Sequence, residues 1–121
     1  MDDSILTSIK KLLGITEDYE QFDADLIMHI NSVFMILNQI GVGPKEGFSI
    51  VGKDEQWSDF MISGISMESV KTYVYMKVRL MFDPPLSSVV MECMNRQISE
   101  LEWRLNVECD KSSQEVTYSE Q

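Results

Sequence analysis

Residues 87–105 read Ser-Ser-Val-Val-Met-Glu-Cys-Met-Asn-Arg-Gln-Ile-Ser-Glu-Leu-Glu-Trp-Arg-Leu. Val90, Met94, Ile98, Leu101 and Leu105 fall on one face of a helix, which predicts a core-facing stripe. Glu92, Arg96, Glu100 and Arg104 follow one another at i, i+4 on the opposite side, alternating in sign. Each such pair favours the helix by roughly 0.2–0.5 kcal/mol. Ser87 or Ser88 supplies the N-cap. Trp103 lies on the charged side, and a large aromatic there needs cover. The cover is either the chain's own loop or tail, or another subunit, since Trp is enriched in interface hot spots.

Immediately upstream, Asp83-Pro84-Pro85 breaks the chain, because neither proline donates a backbone hydrogen bond. Before the break, residues 67–82 predict a helix capped by Ser66. Val70, Tyr73, Val74, Val78 and Met81 share one face; Met76 and Leu80 widen it, while Tyr75 and Phe82 lie off it. A helix apolar nearly all round is covered on more than one side. The second cover is either the preceding loop or a second subunit. Lys77 falls inside the apolar stripe, read as a snorkelling side chain or as half of an interfacial ion pair.

Two further helices stand at the front. Ile5, Leu6, Ile9, Leu12 and Leu13 define one over residues 4–13, capped by Asp3 or Ser4 and stopped at Gly14. Leu26, Ile30, Val33, Leu37 and Ile40, with Phe34 beside them, define another over about 24–40, with Asp23 as its cap and Gly41 and Gly43-Pro44 as its end. Met28 and Met35 sit on its polar side. The connection 41–66 is too long to lack structure. Phe48–Val51, a turn at Gly52–Glu55 and Gln56–Ser58 predict a β-hairpin. The expected fold is mainly α: a small four-helix bundle with a β-hairpin inserted between the second and third helices. One helical domain spans residues 1–105. Residues 106–121 lose the apolar periodicity and read as a flexible acidic tail.

The chain has 121 residues, 44% of them apolar, enough for one core. Its formal net charge is −10, distributed as −7 over residues 1–65, 0 over 66–105 and −3 over 106–121. Such an acidic surface repels phosphate backbones and anionic membranes. No apolar run approaches the ~20 residues of a membrane span. The acidic start Met1-Asp2-Asp3-Ser4 is unlike a secretory signal, and Cys93 and Cys109 form no CxxC, so a cytoplasmic site of synthesis is expected.

Reactive constellations are not apparent. His29, the one histidine, lies at the edge of an apolar stripe without a ligand or triad partner at useful spacing. No phosphate-binding glycine motif occurs. The acids from Glu17 to Asp25 lack the register of a calcium loop, and a helix N-terminus stabilised by its dipole accounts for them. No catalytic residue, metal site or cofactor is assigned, and the chain is expected not to be an enzyme.

Four stretches carry a resemblance: Asp25–Phe34 (Asp-Leu-Ile-Met-His-Ile-Asn-Ser-Val-Phe), Val42-Gly43-Pro44, Phe82-Asp83-Pro84-Pro85 and Asn95–Leu105 (Asn-Arg-Gln-Ile-Ser-Glu-Leu-Glu-Trp-Arg-Leu). Over about residues 4–107 the chain resembles the head–tail connector (adaptor) proteins of tailed bacteriophages, the gp6-like or phage DNA-packaging connectors. The pairing of Asp-Pro-Pro with Glu-Trp-Arg-Leu is the most specific part. The resemblance implies a homo-oligomeric ring, twelve-fold in the virion, seated on the portal protein. It implies that the ring extends the DNA channel and receives a downstream neck or tail-completion protein. It also implies a place in the virion neck, assembly in the host bacterial cytoplasm, no specific DNA binding and no enzymatic activity.

A ring needs head-to-tail contacts, hence two different adhesive faces on each subunit. The candidate subunit or partner interface comprises Trp57, Tyr75, Lys77, Phe82, Glu92, Arg96, Glu100, Trp103 and Arg104, with Val116 and Tyr118 in the tail. Two other readings remain. One is a different phage neck, tail-completion or packaging accessory protein. The other is a small helical DNA-binding regulator, which the charge and the lack of a basic helix face oppose.

Overall fold

A computed structural model of the chain describes residues 4–60 and 66–119, with side chains as far as Glu108. Five helices and no strand occur among these residues: α1 (Ile5–Leu12), α2 (Asp23–Gln39), α3 (Trp57–Phe60), α4 (Met67–Phe82) and α5 (Ser88–Ser119). Helix α4 packs against α2 on one side and α5 on the other, and α1 closes against α2.

The expected helix starts are in place. The Ser4 hydroxyl accepts from the Thr7 amide at 3.2 Å, and that of Ser66 accepts from Ser69 at 3.3 Å. Ser87, not Ser88, caps α5, accepting from the Val90 amide at 3.3 Å. The cap expected at Asp23 is not found: Phe22 holds that position and makes no side-chain cap bond. Asp23 instead lies in the first turn, where its carboxylate meets the Lys10 ammonium at 2.9 Å. Lys10 is almost fully buried and also donates to the Glu17 carbonyl at 3.0 Å. A buried cation needs an anion nearby more than the helix needs a side-chain cap. The pair ties the acidic connection 13–22 down onto α1.

The stripe read on α2 is the core: Leu26, Ile30, Val33, Phe34 and Leu37 are buried, while Met28 and Met35 stand in solvent. On α4 the buried set is Val70, Tyr73, Val74, Met76 and Val78, and Met81 is exposed. On α5, Met94, Ile98 and Leu105 are buried, but Val90 is 46% exposed. The first turn of α5 therefore overhangs the core. Helix α5 also does not stop at Leu105 but continues to Ser119. Loss of apolar periodicity does not end a helix, whose i→i−4 bonds are internal.

The β-hairpin expected at 48–58 does not form. The backbone groups that would pair across it are taken elsewhere. The Asn31 carboxamide on α2 brackets Ile50, donating to its carbonyl at 3.0 Å and accepting from its amide at 2.8 Å. The Glu55 carboxylate accepts from the Val51 amide at 2.8 Å. Gln56 makes a lone antiparallel bridge with Ser4, beside an Ile5 N–H bond to the Glu55 carbonyl at 3.0 Å. The expected returning strand instead begins α3, with Asp59 accepting from the Gln56 amide at 2.8 Å.

The loop behaves as an arm of the core. Ile50, Trp57 and Phe60 are buried. Phe34 of α2 meets Phe60, Phe48 and Trp57 with ring centroids 4.8, 5.2 and 6.4 Å away. Gly43 makes room for this: its φ is +107°, and a Cβ there would lie 2.7 Å from Phe60 Cε2.

Two losses of stability should follow, read by urea denaturation. Asn31→Ala strands both backbone groups of Ile50 and should cost about 1–3 kcal/mol. Gly43→Ala combines a disfavoured backbone with a clash and should cost at least about 1–3 kcal/mol.

Candidate interaction surfaces

The eleven residues read as interface candidates separate into four groups. Trp57 is a core residue of the chain itself: it is 2% exposed, and its Nε1 donates to Ser8 Oγ at 2.8 Å. Lys71 of α4 lies over its ring, with Nζ 5.8 Å from the centroid. Trp57 therefore presents no surface. On the side of α4 that carries Lys71, the loop provides the cover. Val116 and Tyr118 lie in the helical span of α5, but their side chains fall outside the described residues.

Tyr75, Lys77 and Phe82 of α4 are half-buried. The Tyr75 hydroxyl accepts from Arg79 Nη1 at 3.1 Å. Phe82 packs edge-on against Phe22, with centroids 5.1 Å apart. Both aromatics are thus partly satisfied within the chain.

Glu92, Arg96, Glu100, Trp103 and Arg104 are brought together on the outer face of α5. The four charges form two ion pairs, Glu92–Arg96 at 3.0 Å and Glu100–Arg104 at 2.6 Å. All four side chains are more than half exposed, so each pair contributes only a few tenths of a kcal/mol, about 0.3–0.5. Trp103 is 67% exposed, and neither loop nor helix covers it among the described residues.

Exposed apolar residues that the reading of single stripes missed lie at the α4–α5 corner. Met81, Leu86 and Val89 are all solvent-exposed, Leu86 completely. For Val89 the signal was present in the sequence, since it falls opposite Met94, Ile98 and Leu105 on the helical wheel, whereas Leu86 precedes the helix.

Besides the packing of its core stripe, α5 is joined to α4 by a polar latch. The Tyr73 hydroxyl, on a fully buried ring of α4, donates to Glu102 Oε2 at 2.6 Å. Burial, and then the bond to the Glu102 carboxylate, push the tyrosine pKa well above its ordinary value. Among the described residues no group of three or more His, Cys, Asp or Glu could hold a metal ion, and no helix is long and apolar enough to cross a membrane.

The family model described as phage connector protein matches residues 5–112, which takes in every helix from α1 into α5. The chain belongs to the phage connector family. No curated protein and no solved structure matches it. In this connector the matched span contains the whole packed body and the exposed outer face of α5.

The latch predicts a pH dependence. A tyrosine whose folded pKa is raised stabilises the fold fully below its unfolded value, about 10, and that stability drains away as pH rises towards the folded value. Denaturation midpoints should therefore fall above about pH 10. Tyr73→Phe should lower stability near neutrality by about 1–3 kcal/mol and flatten this alkaline limb.

Proposed function

We propose that this connector is a head–tail adaptor subunit of a tailed bacteriophage. It assembles as a ring on the portal protein, extends the DNA channel, and receives a downstream neck or tail-completion protein. Its place is the virion neck, after assembly in the host bacterial cytoplasm. It acts as a structural part and not as an enzyme. The observation that carries this reading is the match of the phage connector family across residues 5–112.

The surface supports it. Ring closure by head-to-tail contacts needs two distinct faces on one subunit. The body exposes apolar side chains on separate elements, Met28 and Met35 on α2 and Met81 and Leu86 at the α4–α5 corner. Methionines adapt to irregular partner surfaces. The net charge of −10 suits a channel wall along which DNA slides without sticking.

Light scattering of the purified chain with its portal protein tests the proposal. A large species of ring mass, containing portal and connector, is the expected result. A chain that never enters a portal complex would reject the portal-adaptor role and turn attention to other neck or tail partners.

A further inference from the structure

The outer face of α5 reads the same in both directions. About the midpoint between Arg96 and Glu100, Val89 mirrors Val107, Glu92 mirrors Arg104, Cys93 mirrors Trp103, and Arg96 mirrors Glu100. Each apolar residue is matched by an apolar one and each acid by a base. Val89, Arg96, Glu100, Trp103 and Val107 repeat close to the alternating three- and four-residue spacing of a helix-pairing seam. This seam lies directly opposite the core stripe of Met94, Ile98 and Leu105.

We propose that free subunits pair through this face with a second copy of the same chain, α5 against α5, antiparallel about a two-fold axis. In that arrangement residues equidistant from the midpoint stand at the same level. Arg96 then meets Glu100 of the second copy, and Trp103 is covered by Cys93 of the second copy, a small side chain of apolar character. Val89 and Val107 close both ends of a contact about 27 Å long, from the rise per residue of a helix. Such a contact is isologous: each half repeats the other, and it closes at two copies.

Charge complementarity selects the occupant and the direction. A parallel, in-register pair would stack Arg96 on Arg96 and Glu100 on Glu100. A parallel pair staggered by one turn matches the charges but sets Cys93 against Gln97 and leaves an open-ended chain of contacts. The antiparallel pair matches every level. The existing ion pairs within the helix do not oppose it, because all four charged side chains are well exposed and free to share their partners. This pairing is independent of the portal-adaptor reading, and its outcome is read on the chain alone.

The test is sedimentation of the full chain over a concentration series. The expected mass is twice that of one chain. Glu100→Arg and Trp103→Ala should each return it to that of one chain. Arg96→Glu combined with Glu100→Arg should restore the pair, a rescue that general damage to the helix would not show. Far-UV circular dichroism and melting curves of every variant check the fold. Direction is read by oxidative crosslinking in a Cys93→Ser, Cys109→Ser background. Val89→Cys together with Val107→Cys should give a covalent dimer, and either alone should not.

A single-chain mass at every concentration overturns the proposal. So do charge reversals that leave the mass unchanged. In a second background that keeps Cys93 and carries only Cys109→Ser, crosslinking of Val89→Cys to Cys93 in a ladder of rising mass would identify the parallel staggered contact and also overturn it.

Discussion

Helix α4 carries more apolar surface than one neighbour can cover, and the rest of the chain is arranged around that constraint. Tyr73, Val74 and Val78 are fully buried, with Val70 and Met76 nearly so. Helix α2 takes one side and α5 the other. Trp57, carried by the loop between α2 and α4, slides under Lys71. Burying side chains of this size contributes about 1.5–3 kcal/mol each before entropy is counted.

The polar bonds of the structure serve that packing. Asn31 holds Ile50 against α2, so that the loop can deliver Trp57 and Phe60 to the Phe34 cluster. Lys10 and Asp23 hold the connection between the first two helices. Tyr73 and Glu102 hold α5 on α4. Each is a buried or half-buried group whose partner lies on a different element. Such bonds add modest net stability, but leaving either partner alone is expensive. They therefore select one arrangement among several that would bury similar apolar area.

Helix α5 is the element through which the connector faces outward. Its inner stripe belongs to α4, while its first turn overhangs the body and its outer face bears Trp103 among paired charges. A long helix anchored along one side only, beginning just after the rigid Asp83-Pro84-Pro85 corner, is well suited to meeting other chains. An exposed tryptophan within a polar frame has the form of an interface anchor.

The sequence by itself determined the four longer helices apart from the far end of α5, the caps at Ser4 and Ser66, the break at the two prolines, the stripe on α2 and the family resemblance. These follow from local rules: periodicity, missing donors and short side-chain reach act within a few residues. It also set the charged outer side of α5 and Trp103 upon it, since the side opposite a core stripe is known once the stripe is known. Only the tertiary structure decided the loop. Phe48–Ser58 has strand-like residues, but strands need partners, and here Asn31, Glu55 and Ser4 claimed the backbone groups instead. It likewise decided that Trp57 is core, that Asp23 pairs with Lys10, and that Val90 is left in solvent. Those outcomes depend on which distant partner gives the lower free energy, and a competition between remote partners leaves no local signal to read.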